Sequence, residues 1–116
     1  MTAAQLRIRV FRALAIGFWL TSVYHLVAIF RPGLDPTSSA GRHALFVAID
    51  VALGLGLWRR PKGFFWVFAA LAVQQLYSHG STLLRAVNAE HRIDLASILV
   101  LAFMPLIVWL LWIERR

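Results

Sequence analysis

The chemistry available to this chain is carried by four histidines and a few carboxylates, and their spacing is informative. His25, His43, His79 and His91 each fall near one end of a separate long apolar segment. His25 closes the first segment, His43 opens the second, His79 closes the third and His91 stands just before the fourth. Antiparallel helices would bring all four imidazoles to one leaflet of a membrane. Neutral imidazoles at a shared depth suit proton transfer, hydrogen bonding to a ligand headgroup, or ligation of a transition metal.

Asp50 is the costliest residue in the chain, a carboxylate within an otherwise apolar run from Ala44 to Trp58. A charge near the centre of a membrane helix costs roughly 2.5 to 3.5 kcal/mol on insertion scales, so its retention points to a job. Seven residues separate Asp50 from His43, which places the two on one helix face two turns apart as a proton-relay pair. On the third segment Gln75 and His79 stand four apart, with Thr82 nearly a turn further. Gln74 and Gln75 are adjacent and should diverge, so only Gln75 is assigned to the face of His79.

If those two faces meet, His43, Asp50, Gln75 and His79 line one polar pocket, with Tyr24, His25, His91 and Asp94 at its rim. Asp94 lies three residues after His91 and can orient that imidazole if the fourth helix begins early enough. Arg85, beyond His79, is placed to meet an anionic headgroup, a haem propionate or a substrate phosphate.

Three ligand classes fit such a pocket. A bis-histidine haem b held by His25 and His79 is one, and a transition metal on the same two residues is another. The third is a quinone or lipid headgroup, whose carbonyl or hydroxyl needs only a hydrogen-bonding His, Asp, Gln or Tyr beside apolar walls. No His-x-x-x-His or His-Glu-x-x-His spacing occurs, so any metal site must be assembled across helices. The chain has no cysteine, which excludes disulfides, thiolate catalysis, Fe–S clusters and cysteine zinc sites.

The elements that must position these residues follow from composition. With 60% of its 116 residues hydrophobic, the chain reads as an all-α integral membrane protein. Four spans are expected at about 10–30, 40–58, 63–80 and 94–113, making a single antiparallel four-transmembrane-helix bundle over 1–116. The net charge of +7 does not indicate nucleic acid, because the basic residues sit at span ends. Arg7, Arg9, Arg12, Arg59, Arg60, Lys62, Arg115 and Arg116 fall on one side of four crossings, against Arg31, Arg42, Arg85 and Arg92 on the other. The positive-inside rule then puts both termini in the cytoplasm, as expected of a multi-pass protein of the cell inner membrane with a retained signal-anchor as its first span. Trp19, Trp58, Trp66, Trp109 and Trp112 serve mostly as interfacial anchors.

Between the spans, the loop Arg31-Pro32-Gly33-Leu34-Asp35-Pro36-Thr37-Ser38-Ser39 breaks any helix, and Ser38 or Ser39 is expected to cap the next one. Residues 81–87 lack Gly and Pro and can prolong the third helix. Pro105 should bend the fourth. Ala13, Gly17 and Thr21 form one ladder of small residues and Ala44, Ala48, Ala52 and Gly56 a second, each spaced for close helix approach in lipid. The second ladder lies away from the face of His43, Val47, Asp50 and Gly54, so it is assigned to a homo-oligomer or a larger membrane complex.

Function is therefore expected to be redox or ligand binding by a small membrane subunit, with a non-catalytic accessory subunit or a small transporter as the other readings. In length and span count the chain resembles the small multidrug-resistance transporters. Their first-span glutamate has no counterpart here, which argues against drug–proton exchange. No internal repeat supports an inverted-repeat transporter.

Overall fold

The computed structural model describes residues 1–115; Arg116, expected to share the C-terminal basic pair with Arg115, lies outside the described residues. The chain is all-helical, with α1 (Ala3–Phe30), α2 (Ala40–Arg59), α3 (Phe64–Asn88), α4 (Leu95–Glu114) and a short 3-10 turn at Pro32–Leu34. α1, α2 and α4 are long and apolar enough to cross a membrane. α3 is outside that set. Its 25 residues include Gln74, Gln75, Ser78, His79, Ser81, Thr82 and Arg85, which dilute the apolar run.

Helix starts follow their caps. Thr2 and Gln5 form a capping box that carries α1 well ahead of its apolar stretch, satisfying two otherwise orphan N–H groups. Ser39 accepts from the Arg42 amide at 3.1 Å and starts α2, as expected of one of the two serines. Asp94 caps α4. Two residues with positive φ, Arg60 (48°) and Gly63 (84°), close α2 and open α3, which is why their link needs so few residues. α3 continues through Ser81–Val87 as expected, ending at Asn88.

By contacts the chain divides after Pro61 into two compact units, each a helical hairpin. In the first, α1 and α2 pack along a seam marked by cross-helix bonds. Ser22 donates to the Val47 carbonyl at 3.2 Å and the Trp19 indole N–H to the Val51 carbonyl at 3.3 Å. Such bonds between helices are worth about 0.6 kcal/mol each in a membrane. Gly54 lies so close beneath the Trp19 indole that any Cβ there would collide with the ring. Trp19 in turn stacks on Trp58, with centroids 5.6 Å apart, and Arg12 sits 4.8 Å over the Trp58 ring. Arg60 lies 4.8 Å over Phe11, closing the same end.

The hairpin therefore uses the His43, Val47, Asp50, Gly54 face, whereas Ala44, Ala48 and Ala52 stay exposed and only Gly56 of that ladder is buried. Ala13, Gly17 and Thr21 of α1 are exposed as well. Neither small-residue ladder makes the hairpin. The polar and aromatic faces meet instead.

In the second unit α3 packs on α4. Ser97, Met104, Ile107 and Leu111 are the buried residues of α4, at helical spacing. Pro105 lies inside α4, which is continuous as a helix from Leu95 to Glu114; having no N–H, Pro105 leaves the Leu101 carbonyl without its usual helical donor. At the far end the Arg115 guanidinium sits 4.2 Å over Trp112, 4.9 Å over Phe65 and 5.1 Å over Trp66.

Candidate functional site

Polar side chains gather where α1 ends and α2 begins. The Nδ1 atoms of His25 and His43 stand 2.8 Å apart, a hydrogen-bond distance at which one ring must donate and the other accept. The outer nitrogen of each ring faces a different carboxylate. His25 Nε2 is 3.8 Å from Asp50 Oδ2, and His43 Nε2 is 3.5 Å from Asp35 Oδ2. Asp50, His25, His43 and Asp35 thus form an unbranched chain from the middle of α2 to the loop before it.

Burial makes this arrangement costly. His43 is 3% exposed and Asp50 6%, and neither His43 Nε2 nor Asp50 Oδ2 completes a hydrogen bond. A buried polar atom left in that state costs about 1 to 3 kcal/mol, more when charged, so the cluster is not there for stability. Phe46 stacks on His25 at 5.2 Å and 20°, Tyr24 meets both rings edge-on at 5.3 and 6.5 Å, and Arg42 lies 5.7 Å over Phe46. At the loop end the Thr37 hydroxyl donates to Asp35 Oδ1 at 2.9 Å. This bond, followed by that of Ser38, holds the Asp35 carboxyl below the usual carboxylate range.

Proton counting constrains the pair. Two neutral imidazoles carry two N–H groups between them, one of which is spent on the Nδ1–Nδ1 bond. Only one outer nitrogen can then present an N–H. With one extra proton on the pair both outer nitrogens are donors, and each faces a carboxylate. The geometry therefore accommodates an imidazole–imidazolium pair between two anions.

The expected pairing of Asp50 with His43 is indirect. Both project from one face of α2 as their spacing requires, but His25 of α1 stands between them. Asp35, which sequence reasoning did not assign to the site, completes the chain; an acid in a turn-rich loop eight residues before His43 was the available signal.

The remaining expected residues lie in the second hairpin and make a separate local set. His79 Nδ1 is 3.0 Å from Ser97 Oγ, and Ser97 Oγ donates to Asp94 Oδ2 at 2.7 Å. Because the serine hydroxyl has only one proton, His79 must be the donor in its bond to Ser97, which sets its tautomer. Asp94 does not orient His91 as expected. The helix starts one residue after Asp94, whose other oxygen accepts from the Ser97 amide at 3.4 Å, and His91 is an exposed loop residue at φ 49°. Ser97, 1% exposed, is the link that the sequence reading missed. Gln75 donates to Gln74 Oε1 at 2.7 Å, so these amides bond each other instead of diverging. Arg85 lies 4.0 Å from Glu90, which also pairs with Arg92. His25 and His79, the residues expected to hold haem or metal, belong to different hairpins. Among the described residues no group of three or more His, Asp or Glu is arranged to hold a metal ion.

Comparison with protein-family models, with curated proteins and with solved structures found no match to this chain.

Proposed function

We propose that this is a multi-pass protein of the cell inner membrane with both termini in the cytoplasm, and that its first hairpin holds the headgroup of a redox-active or lipid ligand, a quinone best fitting the residues present. The observation that carries this reading is the buried pair of unsatisfied atoms, Asp50 Oδ2 and His43 Nε2, inside helices otherwise apolar enough to cross a membrane. A ligand hydroxyl entering from the bilayer would donate to the Asp50 carboxylate, and a ligand carbonyl would accept from His43 when its Nε2 carries the proton. Quinone chemistry also consumes and releases protons, which the neighbouring imidazoles can supply. Both ring nitrogens of His25 face protein groups, which favours hydrogen bonding over metal ligation at this residue. In this proposal α3 also crosses, its polar residues turned to protein, because the basic residues at the N-terminus, at residues 59–62 and at Arg115 then share the cytoplasmic side.

The exposed Ala44, Ala48 and Ala52 favour a second component of the proposal, an oligomer or a larger complex formed through that face. An accessory subunit would use the same surface.

Two measurements test the reading. The chain lacks cysteine, so single cysteines introduced at positions 35, 62 and 90 report sidedness without background. Labelling of 35 and 90 from outside and of 62 only after permeabilisation is expected; any other pattern removes the topology. Purification in mild detergent, with organic extraction, metal analysis and an absorption spectrum, then identifies the ligand. A co-extracted quinone supports the proposal, whereas a Soret band or stoichiometric metal replaces it with haem or metal binding.

A further inference from the structure

The chain of four side chains has a direction. Asp35 sits in the loop with its side chain 28% exposed, His43 and His25 follow, and Asp50 lies about 10 Å further along α2 than His43, seven residues at 1.5 Å each. Beyond Asp50 the chain stops. From Val51 to Trp58 α2 has no ionisable residue, and Trp19 packs on Gly54 in the path ahead. From Ala13 to Val23 α1 has none either.

We propose that Asp35, His43, His25 and Asp50 form a one-sided proton path, which loads a proton from water at the loop end onto Asp50 in the middle of α2 and returns it by the same route. The proposal rests on the membrane placement given above and adds the direction and the carriers. In the resting state His43 donates its Nδ1–H to His25 Nδ1, and His25 directs its Nε2–H at the Asp50 carboxylate. A proton arriving from water past Asp35 binds His43 Nε2. The former Nδ1 proton of His43 moves to His25 Nδ1, and the Nε2 proton of His25 moves to Asp50 Oδ2. One proton has entered, the Asp50 carboxylate has become a carboxylic acid, and both imidazoles have exchanged tautomers without any electron transfer. Reversal returns every atom to its start.

The central hop needs no movement at 2.8 Å, and the terminal gaps of 3.5 and 3.8 Å close by about 1 Å of side-chain adjustment to reach hydrogen-bond length. Within this hairpin the other charged or titratable groups around the path are Arg42, which lies over Phe46, and Tyr24, edge-on to both rings.

The test uses the full chain in oriented proteoliposomes, with time-resolved infrared detection of the protonated carboxyl band after a pH jump. A band present in the unmodified protein and absent in Asp50→Asn assigns the acceptor. His25→Leu and His43→Leu are expected to slow its appearance about 100-fold, with added imidazole restoring the rate, as for loss of a positioned proton carrier. His25→Gln and His43→Gln, which keep a hydrogen-bonding side chain in the seam, should be equally slow and cover the case in which the leucine variants fail to fold. A jump applied on the loop side should load the site, one on the other side should not, and net proton flux across the vesicle should stay at the lipid blank. An unchanged rate in the histidine variants, or equal loading from both sides, overturns the proposal. Cysteine labelling at position 35 separates the two readings: wrong sidedness sinks the membrane placement, whereas correct sidedness with histidine-independent loading sinks the path alone.

Discussion

His25 and His43 are joined through their Nδ1 atoms at 2.8 Å, with a carboxylate opposite the Nε2 atom of each. The pairing depends on the α1–α2 register, and the register depends on contacts two and three turns away. That dependence makes remote positions as informative as the histidines.

Gly54 and Gly17 should respond to alanine in opposite directions. A Cβ at Gly54 meets the Trp19 indole, so Gly54→Ala must displace the ring or part the helices, at about 1 to 3 kcal/mol. A Cβ at Gly17 meets nothing within 4 Å, and Gly17→Ala should gain about 0.5 to 1 kcal/mol of helix stability. Unfolding in mixed detergent measures both. Equal effects would mean that the Trp19 contact is not formed.

Ser97→Ala should remove the His79–Ser97 and Ser97–Asp94 bonds and cost about 1 to 3 kcal/mol. Asp94→Ala should add the loss of the α4 cap, about 1 kcal/mol. Nitrogen NMR of His79 provides a direct check, since the Nδ1–H tautomer should dominate in the unmodified chain and become mixed in Ser97→Ala.

Asp35 sets a pH dependence whose sign is fixed. Its folded-state pKa is depressed, first by the Thr37 hydroxyl, so the stabilisation is complete above the unfolded-state value. It is lost as pH falls through the folded-state value. Thermal unfolding followed downward from neutral pH should show this acid-side loss, and Thr37→Val should shrink it; a Thr37→Val protein with an unaltered acid limb would contradict the assignment.

Ala48 is exposed in the middle of its ladder, away from the α1 seam. In the proposed oligomer, Ala48→Ile should weaken self-association by about tenfold or more while leaving hairpin stability within about 0.5 kcal/mol. Detergent-corrected sedimentation reads the first and unfolding the second. A monomeric parent protein would dispose of the oligomer outright.

The helices were legible because long apolar runs between Gly, Pro and Ser clusters leave few alternatives, and the Ser38–Ser39 pair marked where a cap would fall without deciding between the two. The start of α1 was not, because Ala3–Val10 carries Arg7 and Arg9 and its helicity comes from the local Thr2–Gln5 box rather than from an apolar pattern. The common face of His43 and Asp50 followed from seven-residue spacing. Their connection through His25 did not, since it needs the rotation and register of a second helix, which Trp19 on Gly54 helps to define. Asp94 was read by its distance from His91 alone; its position three residues before Ser97 was a capping signal of the same kind as Ser39 before Arg42.

The absence of ionisable side chains between Asp50 and Arg59 carries an electrical consequence for a membrane-embedded hairpin. Asp50 is the eleventh of the 20 residues of α2, so in the proposed membrane placement a charge moved there from the loop would traverse about half of the bilayer field. A full crossing is worth about 2.3 kcal/mol per 100 mV, which leaves about 1 kcal/mol for the half journey. The occupancy of this one carboxyl group would then change several-fold between an energised and a depolarised cell.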